Sequence, residues 1–423
     1  MKILYIYNLY QQSGGENQWV ESEPELMKAR GHTIVSYRRD NREILNFSAW
    51  QKAALLWKAS WSERSYRKVR QLIRRERPEV AHVYNTLALV TPSVYYACRE
   101  EGVPVVQTLY NYRLVCPAGT LLRNGRICEE CIAHSLARSV RHACYRGSRV
   151  QSAAAAWTLY AHRRRGTWRN CIDAYLVPTE FMRRKLVEGG LPADKIVVKP
   201  NFHEPDPGLR QQSDGSALYI GRLAVEKGVR TLAAAWEHLP HPPLLRVIGD
   251  GPLREELEHA AERSQGRIEI LGHRSHEETI EYLKKAAFVL LPSEWYEGFP
   301  HVILEAFACG VPVVASRIGT LADVIRDGET GLLFQPGQPQ DLVAKVGWLA
   351  EHDSEARRIG LNGRRAYQME YTGDRNYERL LAIYQAAIAG RIAELASVPS
   401  DRAAYLPASE ERRADWITTP AAP

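Results

Sequence analysis

Short apolar runs alternate with longer stretches of helical periodicity along most of the chain. Residues 2–7 form an apolar, β-compatible run. Gly14 and Gly15 follow, then a helical stretch to about Arg30, a stop at Gly31 and a second strand over 33–37. That order is a β-α-β unit with glycine at the helix end. Further strands are predicted over 80–84 and 103–109, with helical pattern between them. Strands that alternate with helices indicate a parallel sheet covered on both faces. Residues 116–169 interrupt the rhythm as an insertion ending in a long helix. A strand over 174–177, a helix over 181–188 and a strand over 195–199 then resume it.

Residues 201–216 are polar and rich in Pro and Gly, which reads as an interdomain linker. A second α/β rhythm starts behind it. Strands are expected over 217–220, 244–248, 268–271, 288–291 and 313–315, and helices over 229–238, 277–285 and 302–309. The chain thus divides into a first domain over 1–200, with its insertion at about 116–170, and a second over 217–350. Helices follow over 351–394, and the Pro/Ala-rich residues 395–423 are expected to be disordered. Two Rossmann-like domains joined by a linker face a central cleft at the carboxyl ends of their strands, where such sheets bind ligands.

The length of 423 residues supports two cores rather than one. Hydrophobic content of 45% and charged content of 25% exclude a disordered or fibrous chain. The N-terminal apolar run is short and lacks a small-residue cleavage site, so no signal peptide is expected. No apolar run is long enough to span a bilayer, and a cytoplasmic protein is expected. The formal net charge of +7 is unevenly spread. Between Ser135 and Asn170 there is no acidic residue, while eight arginines interleave with Trp157, Tyr160 and Trp168. This is either a solvated basic face or a patch that rests on an anionic membrane surface. No nucleic-acid module accompanies the charge, so no nucleic-acid partner is expected.

Chemistry concentrates in two strings. In PSEWYEGFPHVILEAFACGVPVVAS, from Pro292, a strand leads into a loop holding Glu297, Gly298, Phe299 and Pro300. A helix beginning near His301 then carries Glu305. Pro300 suits a helix start, and a helix N-terminus favours anions. Gly298 permits close backbone approach. The two carboxylates, eight positions apart, suit different hydroxyls of an elongated polar ligand. In YIGRLAVEKGVRTLAAA, from Tyr219, Arg222 and Lys227 flank a strand-to-helix loop, where two cations suit a diphosphate.

Together these strings resemble the retaining glycosyltransferases of family 4, which have the GT-B architecture. The similarity extends over most of 217–335. The resemblance implies that Arg222 and Lys227 hold the diphosphate of a nucleotide-sugar donor, Glu305 binds its ribose and Glu297 contacts its sugar. It also implies that the backbone at Gly298 and Phe299 approaches sugar and phosphate. The GDGP turn from Gly249, and His273 and Arg274, would border the base. Catalytic weight falls on Glu297, Arg222 and Lys227, with no divalent metal required. In the first domain the similarity is looser. Gly14 and Gly15 match the family's first glycine-rich loop, near donor phosphate or acceptor. Tyr84 and Tyr110 stand where related sequences often have histidine; each is either an acceptor-side residue or a buried ring. The implied reaction is sugar transfer with retention onto a glycan or lipid-linked acceptor, in surface polysaccharide or glycolipid synthesis.

Other readings keep the fold: a nucleotide-sugar epimerase, a phosphorylase, or a nucleotide-sugar-binding protein without turnover. A Rossmann dehydrogenase is disfavoured, because the first loop lacks G-x-G-x-x-G. The seven cysteines are an odd number, which argues against a disulfide framework. Cys116, Cys128, Cys131 and Cys144 fall in the insertion and are either four reduced thiols or the ligands of a structural zinc. His134 and His142 are alternative ligands.

Overall fold

A computed structural model describes residues 1–9 and 15–397. The glycine-rich loop through Gly14, and the expected disordered tail from residue 398 onward, lie outside the described residues. The first sheet is built from β1 (Lys2–Leu9), β2 (Thr33–Asp40), β3 (Val80–Val83), β4 (Val105–Thr108), β7 (Ala174–Val177) and β8 (Ile196–Val198). Between β4 and β7 a small hairpin pairs β5 (Leu122–Arg123) with β6 (Arg126–Ile127). The second sheet holds β9 (Ala217–Ile220), β10 (Leu245–Ile248), β11 (Ile268–Gly272), β12 (Phe288–Leu291), β13 (Val313–Ser316) and β14 (Gly331–Phe334).

Every pairing within these two sheets is parallel. The reason is local. β3, β4, β7, β12, β13 and β14 are four-residue runs buried at every position. Strands that are apolar on both faces need helices on both sides, and helical crossovers make neighbouring strands parallel.

The strand orders locate the binding crevices. The first sheet runs β2-β1-β3-β4-β7-β8, and the second runs β11-β10-β9-β12-β13-β14. Chain direction across the sheet reverses between β1 and β3 in the first, and between β9 and β12 in the second. Outside the carboxyl ends of strands at such a switch point, neighbouring loops diverge and leave a crevice.

The insertion carries the hairpin, three short helices and the helix Arg149–Arg164, which Ser148 caps by accepting from the Gln151 N–H at 3.3 Å. That helix packs on the helix Ala49–Lys58. The C-terminal helices do not all stay with the second domain. Asp353–Glu370 packs against the second core, but Gly373–Ile388 crosses back and buries Leu380, Ile383 and Tyr384 beneath the first sheet. A short helix, Ile392–Ala396, follows it there, with Ala396 buried. The expected disordered tail therefore starts too early at 395: Leu395 and Ala396 are helical and pack against apolar neighbours.

A buried ion pair fastens this crossing. Lys199 Nζ lies 2.5 Å from Glu23 Oε1 and donates to Asn376 Oδ1 at 2.6 Å. Both charged side chains are 2% exposed. Burial would push the Glu23 carboxyl up. The Lys199 charge, with hydrogen bonds from Lys199 and Tyr84, outweighs it and holds the carboxyl below its ordinary range. Leaving one charge buried alone is costly. Lys199→Met should lower the unfolding free energy by about 3–5 kcal/mol in urea denaturation. The double variant Glu23→Leu/Lys199→Met should recover much of that loss.

Candidate active site

A cleft of about 820 Å³ opens between the domains, at the second sheet's switch point. One wall is built from the ends of β9 and β12: Gly221, Lys227, the loop from Pro292 to Pro300, and Glu305. The opposite wall comes from the first domain and includes Tyr110, Asn111, Arg113 and Gly119.

On the second-domain wall, Lys227 Nζ donates to both oxygens of Glu297, at 2.7 and 2.9 Å. Lys227 also lies 5.4 Å from the centre of the Trp295 ring. Glu297 accepts a third hydrogen bond from Ser293 Oγ at 2.6 Å. Its burial works against the charge, but Lys227, Ser293 and Trp295 outweigh it and keep the carboxyl below its usual range. Glu297 is thus ionised at neutral pH. The backbone around this pair is crowded. Gly228 has φ +69°, and a Cβ there would stand 1.8 Å from the Pro292 carbonyl oxygen. A Cβ on Gly298 would stand 2.5 Å from the Tyr110 carbonyl oxygen, so here the two walls nearly touch. Thr320 Oγ1 donates to the Glu297 and Gly298 carbonyl oxygens at 2.9 and 3.1 Å and pins the loop.

The helix His301–Cys309 begins at Pro300 and is buried from Val302 onward. Glu305 is its one acid. The carboxylate is 7% exposed, and among the described residues the only basic group within ion-pairing distance is His276 Nδ1 at 3.5 Å. Burial pushes the Glu305 carboxyl up to about 7. Arg274 and His273 line the same cleft.

The structure separates the two cations that the sequence places together. Lys227 faces the cleft, whereas Arg222 is absent from its walls. The Arg222 guanidinium is largely exposed and paired with Glu226. Tyr110 reaches the cleft. Tyr84 does so only in part: it lines a small cavity with Tyr110, but its hydroxyl donates to the buried Glu23 at 2.5 Å. The ring stacks between neighbours, 4.4 Å from His82 and 6.3 Å from Tyr110, centre to centre. Its hydroxyl is therefore committed to the interior. Gly15 opens the first helix, and Gly14 lies outside the described residues.

In the insertion, Cys116 is buried and Cys128, Cys131 and Cys144 are half-buried. Cys131 hydrogen-bonds to the Cys116 sulfur, as do the backbone N–H groups of Leu121, Gly119 and Ala118. Despite burial these bonds pull the Cys116 thiol down, while Cys131 is pushed up. Among the described residues, no three His, Cys, Asp or Glu side chains converge on one point as metal ligands. His142 pairs instead with Glu130 at 3.4 Å, and His134 joins no such group.

Comparison with known proteins agrees with this architecture. The model for the glycosyl transferase 4-like domain matches residues 25–201, and that for glycosyl transferases group 1 matches residues 204–366. Side by side they cover both domains. The chain belongs to the family 4 type of GT-B glycosyltransferases.

Among relatives, the glycosyltransferase is 26% identical to alpha-D-kanosaminyltransferase of Streptomyces kanamyceticus over 360 residues, covering 80% of this chain and 83% of that protein. It is 33% identical to the glycosyltransferase MJ1178 of Methanocaldococcus jannaschii over 148 residues, or 35% of this chain. That stretch spans only 41% of MJ1178 itself. Among solved structures it shares its fold with HepE of Anabaena in complex with UDP. The TM-score is 0.62 at 16% identity, over 91% of this chain and all of that one.

Several residues of the glycosyltransferase's cleft escape a sequence reading. Ser293, Trp295 and Thr320 brace Glu297, and Arg113 and Asn111 stand on the opposite wall. Ser293 and Trp295 lie inside the EGFPHVILEA neighbourhood and were within reach. Asn111 and Arg113 lie in the string TLYNYRLVCP, whose looser similarity to the family assigns them no role.

Glu305 yields a pH prediction. Its folded value of about 7 exceeds the ordinary 4.5. Its contribution to stability is thus full below pH 4.5 and is lost as the pH rises through 7, roughly 3 kcal/mol in all. Glu305→Gln should therefore raise Tm at pH 8 without nucleotide and change it little at pH 5. Equal Tm values for the two proteins at pH 8, by differential scanning calorimetry, would contradict the buried uncompensated acid.

Proposed function

We propose that this glycosyltransferase moves a sugar from a nucleotide-diphosphate donor, bound on the second-domain wall, to a glycan or lipid-linked acceptor held against the first domain. The transfer retains anomeric configuration and serves surface polysaccharide or glycolipid synthesis. The observation that carries this reading is the grouping of Lys227, Glu297, Glu305 and the start of the helix His301–Cys309 on one cleft wall, at a sheet switch point. The UDP bound by HepE makes a uridine nucleotide the first donor to test.

The chemistry follows from the charges. As the bond from the anomeric carbon to the diphosphate breaks, negative charge grows on the leaving oxygen. Lys227 and the N–H groups at the helix start supply fixed positive charge there, and such interactions are worth most in the transition state. Glu297 holds Lys227 in place and lies beside the space for the donor sugar. Glu305, as a carboxylate, accepts hydrogen bonds from the ribose hydroxyls. Arg222 reaches the diphosphate only by leaving Glu226. The transfer calls on these cations rather than on a divalent metal. A zinc on Cys116, Cys128, Cys131 and Cys144 is a separate, structural proposal. Backbone N–H groups aimed at the Cys116 sulfur favour the thiolate that zinc needs, and the four thiols would have to draw together to share one ion.

Thermal shift with UDP, GDP and ADP should give a rise in Tm with one of them. No rise with any nucleotide or nucleotide sugar would count against the donor site. With the sugar conjugate of that nucleotide, Lys227→Ala should lower kcat by about 10²-fold at saturating donor. Glu305→Ala should chiefly weaken nucleotide binding. Release of nucleotide diphosphate that needs no acceptor would favour an epimerase. For the insertion, elemental analysis after chelator washing should find one zinc per chain, and its absence would leave four reduced thiols.

A further inference from the structure

Six of the twelve large apolar side chains that stand exposed among the described residues come from two short segments. Leu45, Trp50 and Trp61 lie on or beside the helix Ala49–Lys58, and Val150, Trp157 and Tyr160 lie on the helix Arg149–Arg164. Scattered exposed apolar residues need no explanation, but a concentration like this marks an interaction surface. Between these helices runs a groove of about 570 Å³ lined by Leu45, Leu55, Leu87, Val150 and Ala155, with Lys52 and Arg146 at its edge.

The groove leads toward the active site. Leu87 is shared with the small cavity at the carboxyl ends of β1 and β3, the first sheet's switch point. That cavity in turn shares Tyr110, Asn111 and Arg113 with the interdomain cleft. At the junction stands Tyr145, a groove residue. The guanidinium groups of Arg113 and Arg146 lie 5.5 and 5.6 Å from its ring centre. Arg113 Nε is buried without a protein partner. Two guanidinium groups at the meeting point of an apolar groove and a sugar-transfer cleft suit a phosphate that joins a hydrocarbon chain to a sugar.

We propose that the acceptor is a glycan joined through a phosphate to a long-chain lipid, resting on the proposed transferase function above. Its chain lies in the groove between the two helices, its phosphate lies by Arg113 and Arg146, and its glycan end enters the cleft beside Tyr110. The exposed tryptophans and the arginines of the helix Arg149–Arg164 then face the membrane from which such a lipid is drawn.

The test compares dodecyl phosphate, below its micelle concentration, with butyl phosphate and inorganic phosphate by isothermal titration calorimetry. A buried chain makes dodecyl phosphate at least about 100-fold tighter than butyl phosphate. Ala155→Trp, which fills the groove, should weaken dodecyl phosphate about tenfold or more and leave nucleotide thermal shifts unchanged. Leu45→Glu, at the exposed rim, should act in the same direction and cannot disturb the core. Arg113→Ala should weaken both alkyl phosphates alike. Equal affinity for the two chain lengths would overturn the proposal. So would binding to vesicles of one part phosphatidylglycerol to three of phosphatidylcholine with no response of dodecyl phosphate to either groove variant. Nucleotide thermal shifts judge the transferase reading separately: their absence removes the donor site, while chain-length-dependent binding still reports on the groove.

Discussion

The buried pair formed by Glu23 and Lys199 ties together three distant parts of the chain. Glu23 lies on the first helix, Lys199 follows the first domain's last strand directly, and Asn376 belongs to the helix that returns from the second domain. Tyr84, at the carboxyl end of β3, completes the group by donating to Glu23. One buried charge pair therefore joins the chain's departure from the first domain to its re-entry. Around it, His82 bonds to Tyr384 at 2.6 Å and to Thr108 at 2.7 Å, and burial pushes that imidazole down to about 4. His82 is neutral at physiological pH. Carrying no charge, it sets no second cation against the lysine. Such a polar core is specific because each member needs its partner.

With the domains fixed in this way, the two switch points open toward one another. The second sheet's crevice carries the charged groups, and the first sheet's crevice is narrower and shares Leu87 with the apolar groove. Contacts at the edge set the separation of the walls. The Phe181 N–H donates to Asp323, Arg184 pairs with the same carboxylate at 3.3 Å, and Phe181 packs on Tyr296 with ring centres 4.6 Å apart. Tyr296 is part of the loop that holds Glu297, so closure of the domains bears directly on the charged wall.

The strands and the charged loop were legible in the sequence because both are local. Four-residue apolar runs such as FVLL and AYLV have few alternatives, and their predicted bounds, 288–291 and 174–177, match the structure. The EGFPHVILEA string holds both carboxylates and the helix start within a few turns of chain. β14 is hard to read because GLLF is a short apolar run that opens on glycine, and periodicity alone does not tell such a run from a turn of helix. The helix Arg254–Arg263 was missed because only Leu257 and Ala260 are buried among its polar residues. What the sequence could not carry was direction and distance. Nothing in GRLAVEKG says that Glu226 captures Arg222 while Lys227 turns to a glutamate 70 positions away. Nor does the pattern at Lys199 reveal a partner 176 positions earlier.

The two cleft carboxylates illustrate why such directions matter. Glu297 and Glu305 are both buried on the same wall, yet their acidities move apart. A lysine and two side-chain donors meet the first, and burial alone dominates the second. Groups with environments this different take different roles. Glu297 is charged whether or not a ligand is present, so its task is to position Lys227 and whatever that lysine touches. Glu305 is poised near neutrality, and on the proposed function it would gain its charge when ribose hydroxyls reach it. Ribose binding, as proposed, would then be coupled to loss of a proton from Glu305. The buried acid that weakens the empty cleft above pH 7 is, on the proposed function, the group a nucleotide would stabilise, so instability and affinity would arise from one poorly solvated carboxylate.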